Sequence, residues 1–260
     1  MPSFHFGIPL MSRAMSRDWT LVCRNLARTL ESLRRQTSKD FRVLITCHEI
    51  PNVDTSGLDV EFILADFLPP SISNETGKIG NDKPAKKRLL GLSLKTYLGE
   101  ETYFMHLDAD DLVHPSLVEF TLNDNNKSGY LVEYGYMFDC ESGKVAPMGG
   151  DNTPFWKHCG SCAVIYLTLN DLPSDTKDKN CYFMQFRRHG DYADIAKKHG
   201  RALSTYPGFM AAYLVNHGDN DTLNRGKVGV KTKYVERWEI ADSSELATIF
   251  SDFPMLLDFT

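Results

Sequence analysis

Three aspartates in four positions, Asp108-Ala109-Asp110-Asp111, follow the apolar run Thr102 to Leu107. Two carboxylates one residue apart at a strand end can hold a hard divalent cation and leave its other positions to water and phosphate oxygens. Such a cation suits a diphosphate, because it neutralises the charge that develops on a leaving nucleoside diphosphate as a sugar-phosphate bond breaks. The same aspartates also suit a solvated turn, where Asp is common. D-x-D triplets arise often by chance, so the triplet alone does not decide between the two.

Counting positions tests two rival metal readings. An EF-hand loop starting at Asp108 would have Asp110 third and Glu119 twelfth, but Leu112 and Val113 stand where an oxygen ligand and Gly are required. A phosphatase of the haloacid-dehalogenase type also ends a strand in D-x-D, yet Leu112 and the mid-chain position count against it. Cys159-Gly-Ser-Cys162 has the spacing of a redox pair or of half a zinc site. A redox pair would open a helix, whereas Ala163 to Leu167 continues as a strand, and there is no second C-x-x-C.

The elements that must position these residues follow from hydrophobic period. Phe4 to Leu10 reads as a strand, and Val22, Leu26, Leu30 and Leu33 lie on one face of a helix over residues 19 to 36. Phe41 to Thr46 and Asp59 to Leu64 are short enough for buried parallel strands. A Pro-, Ser-, Asn- and Gly-rich loop from Pro69 to Asn81 leads to a helix with apolar Ala85, Leu89, Leu92 and Leu94, closed by Gly99. Thr102 to Leu107 then delivers the aspartates to a carboxyl strand edge, where ligands bind in open α/β sheets. Pro115 starts a short helix, and segments around Gly129 to Phe138 and Ala163 to Leu167 are strands of the second half. A helix over 190 to 199 stops at Gly200, and Ala211 to Asn216 is a last strand. Asp242 and Glu245 resemble a capping box, followed by Leu246, Ile249, Phe250 and Phe253 on one face. That stripe predicts a strap over the core, with a partner or membrane surface as the alternative.

The 260 residues suffice for one α/β domain with a tail, set here as residues 1–220 and a linker with helical tail over 221–260. A formal charge of −5 argues against a nucleic-acid backbone as partner, so any phosphate must be bound locally. Apolar stretches are short and the amino terminus does not read as a signal peptide. A cytoplasmic location with six reduced cysteines is expected, with peripheral attachment at the inner face of the membrane as an extension.

Thr29-Leu-Glu-Ser-Leu-Arg-Arg-Gln-Thr37, then Asp40 to Ile45, then Leu107 to Asp111 resemble in order and spacing the family-2-like glycosyltransferases of GT-A fold. More narrowly they are similar to bacterial cell-surface polysaccharide transferases and their rhamnosyltransferase relatives, over roughly residues 4 to 220. The resemblance implies a mixed, mostly parallel Rossmann-like sheet flanked by helices, and transfer of one sugar from a nucleoside-diphosphate sugar to a carbohydrate or glycolipid acceptor. It implies Mn2+ or Mg2+ on Asp108 and Asp110, with Asp111 supporting the loop and all three near the donor. It matches Lys83, Lys86, Lys87 and Arg88 to the basic positions at the start of the preceding helix, Lys83 and Arg88 being taken as donor-binding. Cations and helix amides there suit a diphosphate, while a solvated helix face is the alternative.

His217 matches a further metal-ligand position, and a neutral imidazole could fill it. Inverting transfer needs a base for the acceptor hydroxyl, and the resemblance places it at Asp191, with His189 and Asp194 as alternatives. A helix N-cap is the competing role for Asp191. Gly160 and Ser161 would border the acceptor sugar. Two departures bear on function. Cys47-His48-Glu49 replaces the Asp pair that contacts the nucleotide base, which motivates a catalytically silent nucleotide-sugar or glycan-binding module as the alternative. Tyr234 stands where Gln would complete the Q-x-x-R-W signature with Arg237-Trp238, so a single addition is favoured over polymer synthesis.

Overall fold

Phe4, Phe6 and Ile8 are fully buried along β1 (Ser3–Pro9), the strand about which the fold is built. The computed structural model describes residues 2–70, 82–150, 153–218 and 229–260. Asp18 accepts the Thr20 and Leu21 amides and so starts α1 (Trp19–Arg34), whose stripe Val22, Leu26, Leu30 and Leu33 is buried as its spacing predicts. β2 (Phe41–Cys47), β3 (Val60–Leu64), α2 (Lys83–Tyr97) and β4 (Glu101–His106) follow. β1 pairs in parallel with β2 and β4, and β2 with β3, so four carboxyl ends share one edge.

β5 (Asp111–Val113) leaves the acidic loop directly, followed by α3 (Leu117–Asp124), β6 (Gly129–Leu131), β7 (Tyr134–Asp139), β8 (Lys144–Met148) and β9 (Ala163–Thr168). β9 runs antiparallel between β4 and β6. α4 (Tyr182–Gln185) and α5 (Tyr192–Lys198) lead to β10 (Ser204–Thr205), which pairs in parallel with β6. The main sheet is therefore ordered β10-β6-β9-β4-β1-β2-β3, mixed but mostly parallel and flanked by helices, the architecture the GT-A resemblance implied.

A second sheet, β5-β11-β7-β8, is organised on β11 (Phe209–Val215). Its existence corrects the expectation that the segment around Gly129 to Phe138 belongs to the second half of one sheet. The chain changes sheets at Val132 and Glu133, whose backbone groups bond to Cys162 O (2.7 Å) and from Phe155 N (3.0 Å). Local periodicity registers strand character and not which sheet receives it. α6 (Val230–Arg237) and α7 (Ser243–Asp252) close the chain, Asp242 accepting the Ser244 and Glu245 amides. Ile249 and Phe253 pack with Leu112, Phe138, Val145 and Leu214 of the second sheet, so the C-terminal stripe straps a core. Among the described residues no helix is long and apolar enough to cross a membrane.

Three local readings are corrected. β3 is an edge strand and only partly covered, not a buried one. The inward face of α2 is Lys86, Leu90, Gly91 and Leu94, which shares only Leu94 with the expected stripe. Lys86 turns inward because its ammonium meets Leu10 O at 2.6 Å and Asp82 at 2.7 Å, which compensates its loss of water. Gly99 does not cap α2 in the left-handed region; Leu98, extended, is the C-cap. The expected loop over 69–81 falls largely outside the described residues, as do 219–228 of the expected linker.

The polar residues of the Thr29–Thr37 stretch face inward too. Thr29 Oγ1 donates to Asp111 O (2.9 Å), and the Val113 amide donates to Ser32 Oγ (3.4 Å). Gln36 Nε2 donates to His114 O (2.8 Å), and its Oε1 accepts the Val118 amide (3.1 Å). Thr29 and Ser32 of α1, and Gln36 just beyond its C-cap, thus bond to the backbone over 111–118 through buried side chains. Gln36→Ala leaves the buried Val118 amide without its acceptor, so it should cost about 1–3 kcal/mol by urea unfolding, against a near-neutral effect for a substitution at exposed Arg24.

Candidate functional site

β4 ends at His106, and the turn after it closes with the Asp111 amide donating to Asp108 O (3.2 Å). Within this turn the three aspartates diverge. Asp108 projects towards α2, where Lys83 Nζ lies 2.6 Å from its Oδ1. Asp110 meets His217 Nε2 at 2.7 Å. Asp111 turns inward, 1% exposed, and accepts from Ser161 Oγ (2.6 Å) and Cys159 Sγ (3.0 Å). Ser161 Oγ in turn accepts the Asp108 amide (2.9 Å), so Ser161 joins the first and last aspartates.

These environments separate the three acids electrostatically. Burial raises the Asp111 carboxyl well above the carboxylate range, and the Asp110 and Asp108 charges add to it against the donations of Ser161 and Cys159. Burial acts the same way on Asp110, but the His217 hydrogen bond and the nearby Lys83 charge hold that carboxyl low. The buried Asp111 Oδ2, bonded to Ser161 and Cys159, holds the loop, and among the described residues its Oδ1 has no hydrogen-bond partner. Cys159 and Cys162 are both free buried thiols, and the first serves this same anchor.

Two lysines of α2 stand one turn apart and so share a face. Lys83 pairs with Asp108, while Lys87 Nζ donates to Tyr192 OH (2.9 Å) and lies 3.4 Å from Phe186 O. Desolvation works against the Lys83 ammonium, yet Asp108 beside it, with Asp110 and Asp111 behind, holds it above its ordinary range. Burial and the Lys83 charge push the Lys87 amine down to about 7. Arg88, one position further round, leaves this face, and among the described residues its buried Nε has no hydrogen-bond partner. The structure thus brings Lys83 and Lys87 to the acidic loop and not Arg88, while Lys86 is buried beneath.

Asp191 occupies the N-cap position of α5 but makes no side-chain capping bond, and its nearest charged partner is Arg188 at 3.8 Å. The carboxylate is therefore exposed and uncommitted to the helix. Its neighbour Tyr192 is the residue that reaches Lys87. His189 Nδ1 bonds to Trp156 O (2.8 Å), and Asp194 lies exposed on α5. Gly160 packs on Asp108: a Cβ there would come within 2.8 Å of Asp108 Oδ2. At the end of β2, His48 stands edge-on to Phe67 and 3.6 Å from Asp82, and Glu49 accepts the Arg13 amide.

His217 is delivered by the second sheet. Tyr213 of β11 pairs antiparallel with Asp111 of β5, and the chain beyond β11 runs back beside the acidic loop. Among the described residues no three His, Cys, Asp or Glu side chains converge closely enough to hold a metal ion on their own. Asp108 and Asp110 supply two carboxylates on one short loop, which fits a hard cation whose other ligands are water and phosphate oxygens. Sequence reading missed Cys159, Tyr192 and Asn25 as parts of the site. Asn25 and Tyr192 carried no signal beyond helical position, whereas Cys159 was visible only as half of a C-x-x-C.

Neither a known family model nor a curated protein matches the chain. Among solved structures, S. aureus TarS aligns with 82% of this chain at 12% identity and a TM-score of 0.45, and the chain spans 37% of that protein's length.

Two measurements probe this geometry. Gly160→Ala displaces only the tip of Asp108, so stability should change little while affinity for Mn2+ or a nucleoside diphosphate falls about tenfold by calorimetry. A bound diphosphate favours the charged Lys87 ammonium, which is largely neutral above about 7. Binding of UDP at about pH 8 should therefore take up a proton, seen as a dependence of binding heat on buffer ionisation, and Lys87→Met should abolish the uptake.

Proposed function

We propose that this chain transfers a single sugar from a nucleoside-diphosphate sugar to a hydroxyl of a carbohydrate or glycolipid, with inversion, in synthesis of a surface polysaccharide or glycoconjugate. One observation carries the reading: two carboxylates of one loop and two lysines of one helix face meet at the carboxyl edge of a mostly parallel sheet. That edge is where such sheets bind ligands, and this charge set suits a diphosphate.

Asp108 and Asp110 would hold Mn2+ or Mg2+, which when bound supplies positive charge to the leaving diphosphate. Lys83 and Lys87 supply further charge to the same oxygens. Lys83 would exchange its Asp108 partner for phosphate as the donor enters. Asp191, free of a capping bond, takes the proton of the acceptor hydroxyl while that oxygen attacks the anomeric carbon opposite the diphosphate. Gly160 leaves room beside Asp108 for the sugar. The hydrogen-bonded Ser161 and buried Asp111 keep this loop in place before substrate arrives, which lowers the reorganisation that charge transfer requires.

Donor hydrolysis tests the reading without knowledge of the acceptor. UDP-, GDP- and dTDP-sugars are incubated with and without Mn2+, and nucleoside diphosphate release is followed. One donor should be cleaved in a metal-dependent way, with Asp110→Asn lowering the rate about 100-fold or more. Donor binding without turnover across acceptors would mark a catalytically silent module. Hydrolysis of simple phosphate esters with nucleotide sugars ignored would mark a phosphatase. Absence of metal-dependent donor binding would overturn the assignment of the acidic loop.

A further inference from the structure

The ring of His217 is held from both sides by groups whose donor and acceptor roles are fixed by chemistry. Its Nε2 faces Asp110 Oδ2 at 2.7 Å, and its Nδ1 faces the Asn25 side-chain nitrogen at 2.9 Å. Asn25 could present either end of its amide, but Arg28 Nη1 lies 3.2 Å from the other end. A guanidinium only donates, so that end must be the carbonyl oxygen. The amide nitrogen, which also only donates, therefore faces His217 Nδ1. Nδ1 must then accept, and the ring proton sits on Nε2, aimed at the Asp110 carboxylate.

Arg28 is itself fixed from the far end of the chain. Its Nε donates to Asp258 Oδ2 (2.9 Å) and its guanidinium lies 4.2 Å from the Phe259 ring centroid. Both belong to the C-terminal 3-10 helix Pro254–Phe259. Asn25 and His217 are buried, at 5% and 7% exposure, so solvent offers little competition for these bonds.

We propose that Asn25, oriented by Arg28 and its C-terminal clamp, is a positioning residue that fixes the Nε2–H tautomer of His217 and so places a proton between His217 and Asp110 where a divalent cation would otherwise bind both. The 2.7 Å between His217 Nε2 and Asp110 Oδ2 brings an imidazole nitrogen and a carboxylate oxygen close enough that both would face one cation. His217 becomes a ligand only when the proton moves to Nδ1, and Asn25 must then turn its oxygen inward against the Arg28 donor. Entry of metal at this pair is thereby coupled to the contact between α1 and the C-terminal segment. The metal consequence rests on the reading of the acidic loop as a cation site, but the tautomer does not.

Nitrogen-15 NMR of protein labelled at histidine reads the tautomer directly, with the His217 signal identified by its loss in His217→Gln. The expected result for metal-free wild type is a protonated Nε2 and a bare Nδ1; a protonated Nδ1 overturns the proposal. Asn25→Asp supplies an acceptor in place of the donor, so it should move the proton to Nδ1 and tighten Mn2+ binding, measured by electron paramagnetic resonance, by about tenfold or more. The added charge alone could attract metal, so the gain must disappear when His217→Gln is combined with Asn25→Asp. A gain that persists without the imidazole, or an unchanged affinity after the tautomer has switched, overturns the coupling. If neither wild type nor variant binds Mn2+, the cation-site reading and the metal consequence both fall, while the nitrogen shifts still decide the tautomer.

Discussion

The buried polar stripe of α1 is the constraint on which the candidate site depends. Asn25, Thr29 and Ser32 on the helix and Gln36 just beyond its C-cap lie beside the apolar stripe, all almost fully buried. Each makes at least one hydrogen bond to the chain that follows the acidic loop or to His217. A buried polar group without a partner is costly, so these side chains define where the segment over 111–118 can run. They join the first parallel unit of the sheet to β5, the strand that begins the second sheet. α1 therefore serves two cores, one through leucines and valine and one through amides and hydroxyls.

From that anchoring follows a division of labour among three neighbouring acids. Successive carboxylates in one short loop would repel one another if they shared an environment. Asp108 is given a lysine, Asp110 an imidazole, and Asp111 a buried serine and thiol. The first two carboxylates stay within reach of a ligand, and the third becomes part of the scaffold. Ser161 couples the scaffold to the ligand side by accepting the Asp108 amide while donating to Asp111. Gly160 beside it leaves the Asp108 carboxylate room. The C-x-x-C segment thus contributes hydrogen bonds and close approach, with both sulfurs free and buried.

The cations are arranged with comparable economy. Lys83 and Lys87 share a face of α2, while Lys86 between them turns to the core and anchors the helix through Asp82 and Leu10 O. Three lysines in five positions hence do two jobs, one structural and two directed at the cleft. α5 reaches the same lysine face through Tyr192, which takes the Lys87 hydrogen bond and directly follows the uncapped Asp191 in the chain. The C-terminal segment adds a remote support through Arg28, so packing on the second sheet bears on the acidic loop at one remove.

Much of this was readable from local pattern. The strands β1, β2, β4 and β11, the helices α1 and α5, and the placement of the aspartates at a strand end follow from hydrophobic period and chain punctuation, because these are properties of neighbouring residues. The Thr29–Thr37 stretch was legible as a family resemblance, but its physical content, a polar seam to a segment some 80 positions away, was not. The Lys86 side chain misled the reading of α2 because an inward lysine is stable only with partners that sequence does not place beside it. The break between β6 and β7 was hidden because two sheets draw on one strand-rich run. By itself the sequence determined which elements form and which edge carries the acids. Only the tertiary structure decided which acid meets a lysine, an imidazole or a thiol, since those partners come from distant parts of the chain and their hydrogen bonds depend on burial and donor geometry that local pattern does not contain.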